Sequence, residues 1–166
     1  MIAFVRIDSR LIHGQVVEAW LPGLHVSRVL VADDAAAASA LTRAAIGLAV
    51  PASAKVEVVA VAAADFAAAV ASPERFLVLV RDVAAATRAR ERGLTFSSLN
   101  LGNVHYQPGR AQISPSVFLS GEEVEALRAF ARAGVTVDLR AVPKDKPLAL
   151  PEIEARLAAA SHAPGA

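Results

Sequence analysis

Apolar residues fall along the chain in short runs that alternate with longer, alanine-rich stretches of helical period. Residues 2–7 (IAFVRI) form the first strand-like run, and 28–32, 55–61, 75–80 and 97–101 repeat the pattern at intervals of about twenty to thirty residues. Between them, residues 13–21, 36–50, 63–71 and 83–91 carry apolar positions at helical spacing, with Gly93 as a helix terminator. Short extended pieces follow at 111–113 and 117–119. Ser120-Gly121-Glu122-Glu123 then starts a helix that runs to about Ala133, with acids in its first turn. Residues 135–140 alternate as a strand, 143–147 read as a loop and 152–160 as a last helix, and the tail 161–166 is expected to fray. Strands alternating with helices predict an α/β fold: an open, mainly parallel twisted sheet with helices on both faces and one C-terminal antiparallel element. The 166 residues read as a single domain, 1–166, without internal repeat or linker.

In such a sheet, ligands gather outside the carboxyl ends of the strands. His13, Asp33, Arg81 and the 102–110 loop all follow predicted strand ends. The segment Arg6-Ile7-Asp8-Ser9-Arg10-Leu11-Ile12-His13-Gly14-Gln15 is the densest in chemistry. A neutral imidazole offers one free ring nitrogen as a nucleophile at neutral pH. Phosphoryl transfer then needs positioned positive charge around the oxygens. A helix start supplies free N–H groups and a favourable dipole. Gly14 lets that backbone approach closely, Arg10 can grip the oxygens, Arg6 can add charge and Asp8 can orient an arginine or the imidazole. His13 therefore reads as a transiently phosphorylated residue. The competing reading is a capping, surface or core histidine, with Arg6 and Asp8 as an ordinary strand pair.

Composition narrows the alternatives. There is no cysteine, which removes disulfides, thiolate metal sites and thiol catalysis and fits a reducing cytoplasm. The net charge of +1 comes without a basic stripe or stacking aromatics, so no nucleic-acid partner is expected. Each apolar run is broken well short of a membrane span, and the opening residues lack a signal-peptide pattern, so no direct membrane insertion is expected. No nucleotide-binding glycine motif, serine elbow or zinc spacing is present, and no metal or cofactor is expected. His25 and His162 read as surface residues and Trp20 as core. Asp33 and Asp34 read as a helix cap, with shared cation binding as the other option. His105 reads equally as a structural loop residue or as a second group near His13.

The stretch from Arg6 to Val17 resembles the active-site signature V-R-I-D-D-R-L-I-H-G-Q-V of the IIB components of the mannose/fructose/sorbose family of the bacterial sugar phosphotransferase system. Leu99-Asn100-Leu101-Gly102-Asn103-Val104-His105 is similar to that family's N-[VIL]-G-G-x-H segment, and 110–114 and 139–147 extend the likeness over almost the whole chain. The resemblance implies a cytoplasmic phosphotransferase that acts as a phosphohistidine–sugar phosphocarrier. His13 would accept a phosphoryl group from a phosphorylated IIA protein and pass it to a sugar carried by the IIC/IID membrane components. It implies Arg10 as the phosphate partner of His13, and together with the chemistry of the loop and strand ends it gives Arg6, Gly14, Asp8, Gly102 and His105 as the other candidate phosphate-site residues. An alternative keeps His13 phosphorylation as a regulatory interaction signal uncoupled from transport. The chain departs from the pattern at Ser9, in place of a second aspartate, and at Asn103, in place of a second glycine. Both departures are expected to be compatible with activity, Asn103 because asparagine tolerates a left-handed backbone.

Overall fold

The computed structural model describes residues 1–162. Strands β1 (Ile2–Asp8), β2 (Arg28–Ala32), β3 (Lys55–Val59), β4 (Phe76–Val80), β5 (Ser98–Asn103), β8 (Thr136–Leu139) and β9 (Leu148–Ala149) form one sheet in the order β3-β2-β4-β1-β5-β8-β9. All pairings are parallel except β8 with β9. This is the expected open sheet with a C-terminal antiparallel element. Strands β6 (Ala111–Ser114) and β7 (Val117–Leu119) form a separate antiparallel pair.

Central strands are apolar on both faces: every residue of β4 is buried, whereas the edge strand β3 exposes Lys55 and Glu57. One face packs under α1 (Leu21–Leu24), α2 (Asp34–Ala38) and α3 (Ala40–Ala49), with Phe4, Val31, Leu77 and Leu79 meeting Trp20, Ala36 and Ile46. The other face, with Val5, Ile7, Val78 and Leu101, packs under α4 (Phe66–Ala71), α5 (Val83–Glu91), α6 (Gly121–Arg132), α7 (Leu150–Ser161) and the β6–β7 hairpin. The chain thus leaves β1 toward one face and leaves β4 and β5 toward the other. That reversal opens a crevice at the carboxyl end of β1, where an α/β sheet places its ligands.

Polar residues at the strand ends start the helices. The carboxylates of Asp33, Asp65 and Asp82 accept the N–H groups of Ala36, Ala68 and Ala85, and Ser120 forms a reciprocal capping box with Glu123. The single helix expected over 36–50 is broken at Ser39, which is extended and whose hydroxyl caps α3 by accepting the N–H of Thr42. The helix expected over 13–21 is a π-helical turn, Gln15–Trp20, running on into α1. The third strand stops at Val59, the fourth helix begins only at Phe66 and the last helix spans Leu150–Ser161. Of the tail expected to fray, Ser161 closes α7, and residues 163–166 lie outside the described residues.

Candidate functional site

The side chains of β1 alternate between faces, so Arg6 and Asp8 lie on the same face as Phe4. Both are fully buried. A buried guanidinium and carboxylate must answer each other. Arg6 Nε and Nη2 donate to Asp8 Oδ2 at 3.0 and 2.8 Å, and Nη1 donates to Asn100 Oδ1 at 2.7 Å and to the Arg140 carbonyl at 3.1 Å. Burial pulls the Arg6 pKa below its ordinary value, while the charge of Asp8 and its hydrogen bond pull the other way.

Asp8 carries this anchoring to the loop. Its Oδ1 accepts the backbone N–H of Arg10 at 3.0 Å, and its Oδ2 lies 2.9 Å from His13 Nε2. An ionised carboxylate only accepts, so in the neutral imidazole the tautomer that matches this contact has its proton on Nε2 and its lone pair on Nδ1. Nδ1 is buried and has no hydrogen-bond partner. Between Asp8 and His13 the chain turns through Leu11, whose φ of 56° is left-handed, a conformation costing a branched residue on the order of 1 kcal/mol. The buried Leu11 side chain and the bond from its N–H to the Asp8 carbonyl, at 2.9 Å, hold the turn.

Neighbouring strand ends fix the loop from three sides. Ser9 N–H donates to the Asn103 carbonyl at 2.8 Å, and its hydroxyl donates to the Arg81 carbonyl at 3.3 Å and accepts the N–H of His105 at 3.1 Å. Arg81 donates to both Asp33 oxygens at 2.7 Å each and to the Ser9 carbonyl at 3.1 Å. For Asp33, burial acts to raise the pKa, but the bonds from Arg81 and the Ala36 N–H outweigh it and the net shift is down. Asp33 and Asp34 are thus engaged by helix caps and arginines, Asp34 accepting from the Val61 N–H and Arg88.

Several expected residues take parts other than those read from sequence. Arg6 is fully enclosed and its donors are engaged, so it braces Asp8 and is not exposed to grip an anion. Asp8 likewise faces the imidazole and three N–H donors, two from Arg6 and one from the Arg10 backbone. Gly102 makes room: a Cβ there would overlap Arg6 Cζ and both Nη atoms. Neither Gly102 nor Asn103 has a positive φ, so the left-handed tolerance expected of Asn103 is not called upon; it ends β5 as extended chain. The His105 side chain is exposed, and Arg110 ties its carbonyl to Glu123. Arg10 is exposed, with no side-chain hydrogen bond or ion pair among the described residues, and a Cβ added at Gly14 would meet nothing within 4 Å. Sequence reasoning passed over Asn100, Asp138, Arg140 and the site role of Trp20. The Trp20 ring stacks on Phe4 at 4.5 Å and lies 5.3 Å from Arg6 Cζ and 5.6 Å from Arg140 Cζ, with its indole N–H donating to the Ala141 carbonyl at 2.9 Å. A buried asparagine in an apolar strand was the available signal for Asn100.

Residues 2–162 match the family model described as the PTS system sorbose subfamily IIB component. The chain belongs to this family. The IIB chain is 30% identical over 149 residues to the sorbose-specific EIIB component of Klebsiella pneumoniae, covering 87% of this chain and 89% of that one. It is 27% identical over 161 residues to the mannose-specific EIIAB component of Escherichia coli, covering 95% of this chain but 49% of the relative, so it spans about half the length of that protein. Its fold is similar to the crystal structure of the IIBSor domain of the sorbose permease from Klebsiella pneumoniae, with a TM-score of 0.83, 29% identity and coverage of 93% and 97%. Among the described residues of the IIB chain, no helix is long and apolar enough to cross a membrane.

Proposed function

We propose that residues 1–166 form one IIB-type domain, a phosphocarrier in sugar uptake, and that His13 Nδ1 is the phosphoryl acceptor. The observation that carries this reading is the asymmetry of the imidazole: Nε2 is committed to Asp8, while Nδ1 is left with a lone pair and no partner. The donor is a phosphohistidine on a IIA protein, the partner class that goes with the family. Attack by Nδ1 forms the new N–P bond as the N–P bond to the donor imidazole breaks. Positive charge that develops on the His13 ring is met by Asp8, which Arg6 holds in place. Arg10 and the free N–H groups at the start of the π-helical turn receive the phosphoryl oxygens, and the exposed His105 lies on the adjoining loop. In the second step a hydroxyl of a sugar presented by IIC and IID attacks phosphorus, loses its proton and regenerates neutral His13.

Nδ1 is enclosed in the resting loop, so docking of the donor has to shift that loop. Gly14, with open space around it, gives the backbone room to move. The test is phosphoryl transfer from a phosphorylated IIA protein of the mannose or sorbose class. Wild type is expected to gain an acid-labile, base-stable phosphate and His13→Ala none. A label that persists in His13→Ala, or never forms on wild type, refutes the proposal. Coupling to transport is separated from a purely regulatory role by adding IIC/IID membranes and sugar, which are expected to discharge the label as sugar phosphate.

A further inference from the structure

We propose that Asp138 and Arg140, on and just beyond β8, are positioning residues that set the charge Asp8 presents to His13. The inference extends the reading of His13 as phosphoryl carrier, but its first test does not depend on transfer. Arg6, Asn100 and Asp138 pair across β1, β5 and β8 in one row of the sheet. On the other side of β1 the same row continues as Leu79, Val31 and Val58. The row is therefore apolar under the helices and polar beyond β1, where Trp20 lies against it.

Charges alternate along the polar part. Asp8 faces Arg6, and Asn100 accepts from Arg6 through Oδ1 while its amide nitrogen points to the Asp138 carboxylate at 3.4 and 3.5 Å. Asp138 in turn accepts from Arg140 Nε at 2.5 Å. Arg6 is thus one positive charge shared by two carboxylates, directly with Asp8 and through a buried amide with Asp138. Burial weakens the screening of these charges: Arg6, Asp8 and Asn100 are fully enclosed, and the Asp138 side chain is only 14% exposed. The charged groups around the relay are Arg6 and Asp8 on β1, Arg10 on the loop, and Asp138 and Arg140 at β8, with Asp145, Lys146 and Arg156 lining the cavity beside Arg140. Among residues facing it, β4 contributes the neutral Leu79, β5 the neutral Asn100 and the π-helical turn Trp20.

Neutralising Asp138 leaves Arg6 wholly to Asp8 and makes the potential at His13 less negative. Neutralising Arg140 frees Asp138 to draw on Arg6, leaving Asp8 more negative. The two substitutions therefore move the His13 ring in opposite directions, a signature that loss of packing does not produce. β1 and β8 are two strand spacings, about 10 Å, apart, and one charge at that range, partly screened, corresponds to about half a pH unit.

The experiment follows the ring protons of His13 by NMR against pH in the unphosphorylated full chain. The titration midpoint is expected to fall by about half a unit in Asp138→Asn, to rise by a similar amount in Arg140→Gln and to stay in place in Glu91→Gln, an exposed control on α5. The pH profile of phosphoryl transfer moves the same way in each variant. Midpoints that stay within about 0.1 unit of wild type in both β8 variants, or that shift with the same sign, overturn the inference. If Asp138→Asn does not fold, Arg140→Gln decides alone: a rise supports the coupling, and an unchanged or lowered midpoint ends it. Shifted midpoints in a protein that never accepts phosphate would remove the proposed function and leave the coupling standing.

Discussion

Replacing Gly102 with alanine adds one methyl group, and the structure gives that methyl nowhere to go. Its position coincides with the Arg6 guanidinium, whose own place is fixed by Asp8, Asn100 and the Arg140 carbonyl. Arg6 has no exposed surface, so it cannot swing aside into water without leaving Asp8 as a buried, unpaired carboxylate. Breaking a buried pair in this way costs about 3–5 kcal/mol. With a urea m-value of about 2 kcal/mol/M, the unfolding midpoint is expected to drop by about 1.5–2.5 M. Equilibrium urea unfolding, followed by circular dichroism and fluorescence, measures the drop. The triple variant Arg6→Met/Asp8→Asn/Gly102→Ala removes both buried charges along with the overlap and is expected to recover part of the stability without recovering phosphoryl transfer. A Gly102→Ala protein within about 1 kcal/mol of wild type and retaining transfer would refute the steric argument, because ordinary surface substitutions stay inside that range.

Two further outcomes follow from the site. Arg10→Ala removes an exposed guanidinium with no structural partner among the described residues, so the urea midpoint should hold while single-turnover transfer from phosphorylated IIA slows. Loss of one charge-assisted contact to the phosphoryl oxygens raises the barrier by about 2–4 kcal/mol, and an unchanged rate would remove Arg10 from the mechanism. Asp33→Asn keeps an acceptor for the α2 cap but loses the charge that answers Arg81. Because the folded carboxyl titrates below its ordinary value, ionised Asp33 stabilises the protein fully above about pH 4 and loses that contribution as the pH falls through the lowered value. The half-exposed Arg81 limits the effect to about 1 kcal/mol at pH 7, and the gap between wild type and variant in urea titrations should close as the pH falls below the ordinary carboxylate range.

The parallel sheet was legible in the sequence because its strands are short apolar runs and several are followed by a polar residue that caps the next helix. Asp33, Asp82 and Ser120 are such markers, and each does cap. The boundaries that moved did so for local reasons. Ser39 sits within an otherwise continuous alanine-rich pattern and captures the Thr42 N–H, splitting one helix into two. The π-helical turn after His13 has the same apolar spacing as an α-helix over six residues, so periodicity cannot tell them apart. Within the site, the histidine and its flanking residues could be named from sequence, but not how Arg6 is used. Alternation along β1 places Arg6 and Asp8 on the same face without saying whether water or Trp20 covers them. Asn100 and Asp138 are 38 residues apart in the chain and meet only through strand register.

Trp20 gives the site an optical property. It is the chain's one tryptophan, so the intrinsic indole emission of the folded protein comes from this position alone. The ring is buried, stacked on Phe4 and set beside two guanidinium groups, and it belongs to the turn that begins just after His13. On the proposed function, a doubly negative phosphoryl group on His13, just before that turn, would change the field across the indole and the pull on its backbone. The phosphorylation proposed for His13 is therefore expected to be visible in real time, without label or radioactivity, as a change in fluorescence that His13→Ala abolishes.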